Sequence, residues 1–246
     1  MPRAVVIIPC YNEERRLRHA DFLAFVDTHP HVGLCFVDDG SRDGTRAVLE
    51  RLRDERPGRI SVLAVTPNAG KAAAIRAGVR HLESQQAAPV FGYWDADLST
   101  PLLEVERLLA VLDAHPDCLL ALGSRVKRLG SHIDRKLSRH LLGRVFATLA
   151  SNILGIAVYD SQCGAKLFRA EAAETMFGDP FLTRWLFDLE MLVRLRNNGR
   201  DVAQGASIEV ALGTWIEVPG SKLKLSDMIN VPLELLRIRR HYNRKS

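Results

Sequence analysis

The sequence predicts an α/β protein built on a mostly parallel sheet, and three observations support this fold class. Short apolar runs alternate with helix-like segments through the first half of the chain. Each of the first four apolar runs ends in a polar loop. The fourth run, residues 90–94, stops at two carboxylates one residue apart, Asp95 and Asp97. Strands that alternate with helices at this spacing form βαβ units, which build parallel sheets.

The first elements follow in chain order. The apolar run at residues 4–9 predicts a buried strand, and residues 13–28 predict a helix with Phe22 and Phe25 on its inner face. Residues 33–37 predict the second strand. The turn at 39–44 then opens a second helix over residues 45–55.

The next elements continue the alternation. Residues 60–65 predict a third strand, residues 70–85 an alanine-rich helix and residues 90–94 the fourth strand. After Pro101 the pattern predicts a helix over residues 102–114 and a strand over 119–123. We find no internal repeat or low-complexity segment.

Size and composition limit the classes of function. The 246 residues suffice for one domain with an appended subdomain, and 47% hydrophobic with 26% charged residues is typical of soluble globular proteins. The net charge of +5 comes without a basic stripe interleaved with aromatics, so we expect no nucleic-acid partner. The longest uncharged stretch, residues 145–159, is shorter than the ~20 apolar residues of a spanning helix, so we expect no transmembrane segment.

The polar loops that follow the four strands hold the candidate chemistry. In a parallel sheet, ligands bind beyond the carboxyl ends of the strands, so these loops are expected to share one crevice. Asp95 and Asp97, spaced i and i+2, project to one side and can hold a hard divalent cation. Each loop also has an ordinary explanation as turn chemistry, a helix cap or solvated acids. The four loops lie at residues 9–13, 38–44, 68–71 and 95–97.

These motifs resemble the family 2 glycosyltransferases of the GT-A fold. The similar segments are residues 6–13 (Val-Ile-Ile-Pro-Cys-Tyr-Asn-Glu), 37–45, 68–71 and 95–98. Farther along, residues 160–169 and 185–190 (Trp-Leu-Phe-Asp-Leu-Glu) resemble the branch that transfers glucose to dolichyl or polyprenyl phosphate. The resemblance runs in order from about residue 4 to about residue 222. It implies a nucleotide-diphospho-sugar transferase fold with a mostly parallel central sheet flanked by helices.

The resemblance also implies a domain plan. A GT-A glycosyltransferase domain is expected over residues 1–222, with a nucleotide-sugar-binding half at 1–124 and an acceptor half at 125–222. A basic amphipathic tail is expected at residues 223–246.

On the donor side, the resemblance implies that Asp39 accepts a hydrogen bond from the base, that Tyr11 packs on its ring and that Glu13 steadies the pocket. Asp97 and Asp95 would ligate Mg²⁺ or Mn²⁺, which acts as a Lewis acid on the departing diphosphate. Ser99 stands where mannose-transferring relatives often have glutamine, which implies weaker or altered metal dependence and a donor other than a mannosyl one. The expected nucleotide-sugar-binding set is Pro9, Tyr11, Glu13, Asp39, Lys71 and Asp95.

On the acceptor side, the resemblance implies that three acids, Asp160, Asp188 and Glu190, form the catalytic set. Asp160 would lie nearest the acceptor or the metal. A phosphate acceptor is already ionised at neutral pH, so it requires positioning more than a strong base. The alternative for Asp188 and Glu190 is a surface helix on which they pair with Arg184 or Arg194 at i, i+4.

The basic segment, residues 125–144, supplies candidate residues to bind the acceptor phosphate. Arginine binds phosphate in a bidentate manner, and Arg135 and Arg139 are spaced i, i+4. The alternative for each is a solvated helix face. The predicted acceptor-phosphate set is Arg125, Arg135, Arg139 and Gln162.

The function expected from these features is inverting transfer of a hexose, glucose from UDP-glucose, to a polyprenyl or dolichyl phosphate. Alternatives are a glycosyltransferase with a saccharide or other hydroxyl acceptor, and an inactive nucleotide-sugar-binding protein. A nucleotidyltransferase is disfavoured because the first loop reads Pro-Cys-Tyr-Asn-Glu instead of glycine-rich and basic.

The expected location is cytoplasmic and peripheral, at the inner face of the cell membrane. The tail places Leu233, Leu236 and Ile238 among arginines, a composition that suits an anionic surface. Residues 137–159 either meet the lipid or form an interior helix.

Overall fold

The computed structural model describes residues 1–134, 137–218 and 230–243, with the side chains of residues 137–142 left out. Nine strands lie within these residues. They are β1 Ala4–Cys10, β2 Val32–Asp39, β3 Ile60–Val65, β4 Val90–Trp94, β5 Leu120–Ser124, β6 His132–Asp134, β7 Ala165–Arg169, β8 Ser207–Ala211 and β9 Thr214–Ile216.

Helices cover the sheet on both faces. Within the described residues they are α1 His19–Thr28, α2 Thr45–Glu55, α3 Lys71–Ser84, α4 Glu104–Ala114, α5 Leu137–Leu154, α6 Ala173–Phe177, α7 Phe187–Asn197 and α8 Val231–Asn243. A short helical turn, Ala170–Ala172, precedes α6, and another, Val202–Ala206, precedes β8.

The central sheet has seven strands in the order β3-β2-β1-β4-β7-β5-β8. β1 pairs in parallel with β2 and β4, β2 with β3, and β5 with β8. Only β7 runs the other way in this sheet, antiparallel to both β4 and β5. The predicted mostly parallel sheet is therefore confirmed. The carboxyl ends of β1, β2, β3, β4, β5 and β8 all lie at one edge.

The core has two layers because both faces of the sheet are covered. Along β1, Val5 and Ile7 pack on one side with α3 and α7, while Val6 and Ile8 pack on the other with α1 and α4. This alternation follows from the two-residue period of a strand. The cysteines are buried free thiols.

The first helix begins later than the sequence predicts, at His19 instead of residue 13. The Glu13 backbone N–H donates to Thr45 Oγ1 at 2.8 Å, and Asn12 adopts a positive φ of 53°. A contact with the first residue of α2 thus holds this segment outside the helix. The strand-end loop after β1 is longer as a result.

The C-terminal helix α8 packs one of its faces against the core of the domain. Leu235, Ile238 and Tyr242 are buried against the core, whereas Leu233 is 68% and Leu236 36% exposed. The prediction that Ile238 joins Leu233 and Leu236 at a lipid surface was therefore wrong. Residues 236 and 238 lie on different faces of a helix. No helix in the described part of the chain is long and apolar enough to cross a membrane.

Helix α5 contributes to the core as well. Ala147, Ala150 and Leu154 are buried, which favours the interior-helix alternative for this part of residues 137–159. Val145 on the same helix is exposed.

Candidate active site

The loops after β1 and β2 are joined by reciprocal hydrogen bonds. The Asn12 N–H donates to Ser41 Oγ at 3.0 Å, and Asn12 Oδ1 accepts from the Arg42 N–H at 2.8 Å. Glu14 Oε2 accepts from the Gly44 N–H at 3.1 Å. Because each loop supplies the other's donors and acceptors, the two form one rigid rim at the carboxyl edge of the sheet.

Three of the predicted donor-binding residues lie in the first of these loops or at the strand end that precedes it. Pro9 lies at the end of β1 and Tyr11 is half-buried just beyond it. Glu13 is buried, and its Oε2 lies 3.4 Å from the Nε of Arg16. Their roles toward a base and ribose stay predictions.

Asp39 is buried at the end of β2, where it accepts hydrogen bonds from the loop after β3. Asp39 Oδ2 accepts from Asn68 Nδ2 at 2.7 Å and from the Gly70 N–H at 2.8 Å. Asp39 Oδ1 accepts from the Ala69 N–H at 2.9 Å. A carboxylate has about four lone-pair sites, so these bonds leave one at Oδ1 for a further donor. Asp39 therefore organises the loop and retains capacity for one ligand hydrogen bond.

Lys71 joins that loop to the acid pair. Its Nζ lies 2.5 Å from Asp95 Oδ1, and both side chains are partly exposed. Burial opposes the charge on Lys71, but the carboxylates of Asp95, Asp188 and Asp97 outweigh it and raise the pKa of this lysine. Lys71 is therefore a cation at neutral pH, held among acids.

Asp95 also lies directly against the backbone of Gly164. The Asp95 N–H donates to the Gly164 carbonyl at 3.1 Å. A β-carbon at residue 164 would collide with the Asp95 carboxylate, so a larger residue at this point would displace that acid. The glycine of the 160–169 motif thus has a steric function beside the acid pair.

Asp97 is the less exposed acid of the pair, with 26% of its side chain accessible against 40% for Asp95. Its Oδ1 accepts from the Ser99 N–H at 2.9 Å, and its Oδ2 lies 3.6 Å from Arg16 Nη2. The described residues contain no group of three or more His, Cys, Asp or Glu side chains that could hold a metal. Mg²⁺ commonly takes one or two protein carboxylates and completes its shell with phosphate oxygens and water. The Asp95 and Asp97 pair fits a cation of that kind.

Asp160 forms a bidentate ion pair with Arg125. Asp160 Oδ2 accepts from Arg125 Nε and Oδ1 from Arg125 Nη2, both at 2.7 Å, and the Arg125 backbone N–H adds a bond of 3.0 Å. Although burial opposes its charge, Asp160 raises the pKa of Arg125. The Arg125 guanidinium also lies 5.4 Å from the ring centre of Trp215. Arg125 comes directly after β5 and therefore lies at the same sheet edge as the acid pair, while its role toward an acceptor stays a prediction.

Asp188 belongs to a buried network behind the acid pair. Its Oδ1 accepts from Lys166 Nζ at 2.6 Å and from the Tyr93 hydroxyl. Gln162 Nε2 lies 3.5 Å from Asp188 Oδ2. Burial and the neighbouring Asp188 raise the pKa of Tyr93. Lys166, which is fully buried on β7, neutralises Asp188.

Glu190 lies in a second buried network, at the junction of α7 and α8. It pairs with Arg194 at 2.9 Å and accepts from the Tyr242 hydroxyl at 2.7 Å and the Leu182 N–H at 3.0 Å. The i, i+4 pair with Arg194 is the one weighed in the sequence, but here it is buried. These contacts connect Glu190 to the segment between α6 and α7 and not to the acid pair.

Two predicted residues lie outside this description, and a cysteine of the 160–169 motif acts in packing. Arg135 is not among the described residues, and the side chain of Arg139 is not described. Burial raises the pKa of Cys163 to about 11, so its thiol is protonated at neutral pH and acts in packing.

Four residues of the site were missed in the sequence. They are Arg16 beside Asp97, Lys166 bonded to Asp188, Arg184 over Gly70, and Glu209, which accepts from the Asp160 N–H. Lys166 and Arg184 stand inside or beside motifs singled out above, which is the only signal the sequence offered for them. Arg16 follows Glu13 by three residues, a spacing that suits an ion pair.

Comparison with known proteins assigns the chain to a family. The family model described as glycosyl transferase family 2 matches residues 5–177. A dolichyl-phosphate beta-glucosyltransferase from Trichomonas vaginalis is 33% identical, over 94% of this chain and 71% of that protein. The human dolichyl-phosphate beta-glucosyltransferase is 32% identical, over 89% of this chain and 68% of that protein.

Two further similarities concern a second activity and the fold. The polyprenol monophosphomannose synthase of Mycolicibacterium smegmatis is 32% identical, over 82% of this chain and 75% of that protein. A crystal structure of Mycobacterium tuberculosis glucosyl-3-phosphoglycerate synthase with Mn²⁺ and UDP-glucose superposes with a TM-score of 0.70, over 98% of this chain and 79% of that one. At 15% identity this last similarity establishes the fold alone.

Proposed function

The chain belongs to glycosyltransferase family 2 and has its GT-A fold, and on that premise we propose that it transfers glucose from UDP-glucose to a polyprenyl phosphate. Inversion at the sugar carbon follows if the phosphate oxygen attacks directly in line with the departing diphosphate. The curated relatives named for dolichyl-phosphate glucosyl transfer support the glucosyl donor and the lipid phosphate acceptor.

The proposed binding of the nucleotide-sugar donor rests on a continuous series of contacts across three loops. Asp39 accepts from the Gly70 N–H, Gly70 precedes Lys71, and Lys71 binds Asp95. A base held at Asp39 would therefore have its diphosphate directed toward Lys71 and the acid pair. Positive charge held at that position stabilises the charge that develops on the leaving diphosphate.

The acid pair supplies the proposed metal site. Asp95 and Asp97 would hold Mg²⁺ or Mn²⁺, which would contribute Lewis-acid stabilisation of the diphosphate when bound. Arg16 Nη2 lies 3.6 Å from Asp97 Oδ2, so the arginine adds a second positive charge beside the acid pair. A solved structure of similar fold contains UDP-glucose with Mn²⁺, which supports this assignment.

The acceptor half is supported by the state of the three candidate acids. Asp160 is bonded to Arg125, Asp188 to Lys166 and Glu190 to Arg194. A carboxylate that already accepts charge-assisted hydrogen bonds is a poor base, because protonation would break them. An acceptor phosphate, which is ionised at neutral pH, needs no base. This favours a phosphate acceptor over a saccharide hydroxyl.

We further propose peripheral membrane contact at the cytoplasmic face. Leu233 and Leu236 on α8 are exposed, and Arg237 and Arg240 follow them at i+4 on the same face. Apolar side chains flanked by arginine suit an anionic lipid surface. Arg125, with Arg135 and Arg139 of the basic segment, would then receive the lipid phosphate.

The test is a panel of labelled sugar nucleotides with matched lipid acceptors. We expect label from UDP-glucose, and less from GDP-mannose, to pass into the organic phase with polyprenyl phosphate. Polyprenol of equal chain length, which differs only in lacking the phosphate, should accept none. Transfer to polyprenol or to a soluble saccharide would contradict the phosphate acceptor. UDP-glucose binding without transfer to any acceptor would identify an inactive binding protein.

A further inference from the structure

Arg184 reaches the donor side of the site from a distant part of the chain. It belongs to residues 178–186, which connect α6 to α7. Its guanidinium lies over Gly70: a β-carbon at residue 70 would be 2.9 Å from Arg184 Nη2 and 3.2 Å from Nε. Gly70 has a φ of 91°, which also favours glycine. The close approach of Arg184 therefore depends on the absence of a side chain at residue 70.

The position of Arg184 is held by buried contacts on both sides of it. The Leu182 N–H donates to Glu190, and the Leu186 N–H donates to the buried Thr183 Oγ1 at 3.1 Å. Glu190 is in turn held by Arg194 and Tyr242. The segment that carries Arg184 is thus anchored to the core although the arginine itself is exposed. This gives Glu190 a positioning function.

The charge environment distinguishes Arg184 from the other cations nearby. Lys71 pairs with Asp95, Arg125 with Asp160, and Arg16 lies beside Asp97. Among the residues that the structure describes, no carboxylate lies within ion-pair distance of Arg184. Its neighbours are Gly70, bonded to Asp39, and the adjoining Lys71.

We propose that Arg184 binds the diphosphate of the nucleotide-sugar donor. Arginine presents a planar fork of N–H donors that matches two phosphate oxygens, and an arginine without an acidic partner is available for such a bond. The position over Gly70, between the Asp39 loop and the acid pair, is where the proposed donor changes from nucleoside to diphosphate. The inference rests on the proposed function and names a residue that binds its donor.

The experiment is calorimetry of ligand binding in the presence of Mn²⁺, with UDP and uridine as the two probes. Arg184→Gln should bind UDP about tenfold to a hundredfold more weakly, because a hydrogen bond to a charged group is lost. Uridine, which has no phosphate, should bind as it does to the parent protein. Arg184→Lys keeps the positive charge but lacks the planar fork of donors. Its affinity for UDP should lie between those of the parent protein and Arg184→Gln. Arg51→Gln, an exposed arginine on α2, is the matched control and should bind both probes normally.

Each other outcome has a definite meaning. Unchanged UDP affinity in Arg184→Gln would overturn the proposal, and an equal loss for UDP and uridine would assign Arg184 to the nucleoside instead. A raised KM for polyprenyl phosphate with normal UDP affinity would assign Arg184 to the acceptor phosphate and also overturn it. Because Arg184 is exposed, its variants should keep the parent's thermal transition. If the parent protein itself binds no UDP, the proposed function fails. If the parent protein and Arg184→Gln bind UDP equally well, only the proposal for Arg184 fails.

Discussion

Glu209 holds Asp160 through the peptide backbone. The Glu209 carboxylate on β8 accepts hydrogen bonds from two consecutive N–H groups, those of Tyr159 at 2.7 Å and Asp160 at 2.8 Å. The turn that presents Asp160 to Arg125 is therefore fixed from the central sheet. Glu209 is not expected to contact either proposed substrate. It orients the ion pair of Asp160 with Arg125, which would face the acceptor.

The first prediction concerns this positioning function. Glu209→Gln leaves one amide oxygen for two N–H donors, so one donor loses its partner. We expect the free energy of unfolding to fall by about 1–3 kcal/mol. We also expect KM for polyprenyl phosphate to rise more than KM for UDP-glucose. Denaturant unfolding and steady-state kinetics measure the two effects. Glu171→Gln, at an exposed glutamate, is the control, and equal changes in both KM values would argue against a function specific to the acceptor.

The second prediction concerns the metal. Asp97→Ala should abolish transfer and weaken Mn²⁺-dependent UDP binding while the thermal transition stays close to that of the parent protein, because Asp97 is partly exposed in a loop. Chelator should inhibit the parent protein. Asp117→Ala removes an exposed acid elsewhere and should change neither property. Full activity in excess EDTA would mean that Lys71 and nearby arginines alone carry the diphosphate charge.

The third prediction concerns Asp39. From the sequence, Asp39→Asn would be expected to weaken UDP binding with little loss of stability. The structure changes that expectation, because Asp39 accepts three hydrogen bonds from residues 68–70. An amide nitrogen there would face a donor, so we expect the variant to lose about 1–3 kcal/mol of stability and UDP affinity together. Thermal unfolding and calorimetry on one preparation measure both. Normal UDP affinity in a destabilised variant would limit Asp39 to holding the loop.

The fourth prediction concerns the membrane. Removal of residues 232–246 is a poor test, because it would also remove Leu235, Ile238 and Tyr242 from the core. The double variant Leu233→Ser and Leu236→Ser alters only exposed side chains of α8. It should bind anionic vesicles roughly tenfold or more weakly in sedimentation, since each buried CH₂ contributes about 0.8 kcal/mol.

The matched control for that experiment is Leu103→Ser, at a leucine outside α8 and outside the basic segment that is 65% exposed. The parent protein and this control should bind anionic vesicles more strongly than neutral ones, and salt should weaken the binding. Equal binding by the parent protein and the double variant would exclude the proposed function of α8.

Local patterns predicted most of the parallel half of the fold. The strands at residues 4–10 and 90–94 are apolar runs with polar ends, and this pattern depends on few distant contacts. The acids at the strand ends followed from the geometry of parallel sheets. The start of the first helix was predicted too early, because the bond between Glu13 and Thr45 spans 32 residues and competes with local helix formation.

The acceptor half was harder to predict because its residues act through long-range contacts. Glu190 was expected either in the site or on a surface, but Tyr242, 52 residues later, covers it. Arg184 meets Gly70 across more than a hundred residues, and the pairing of Glu209 with Asp160 joins separate elements. Such contacts leave no periodic signal in the sequence.

The position of β7 between β4 and β5 has a consequence for biosynthesis. β4 and β5 are complete once residue 124 has left the ribosome, yet the strand that joins them is made only at residues 165–169. Until then, β4 has an unpaired edge that carries Phe91 and Tyr93, and an open edge is a template for wrong pairing between chains. The nascent chain therefore passes through an interval in which it is prone to aggregation, and slower translation of residues 125–164 would lengthen that interval.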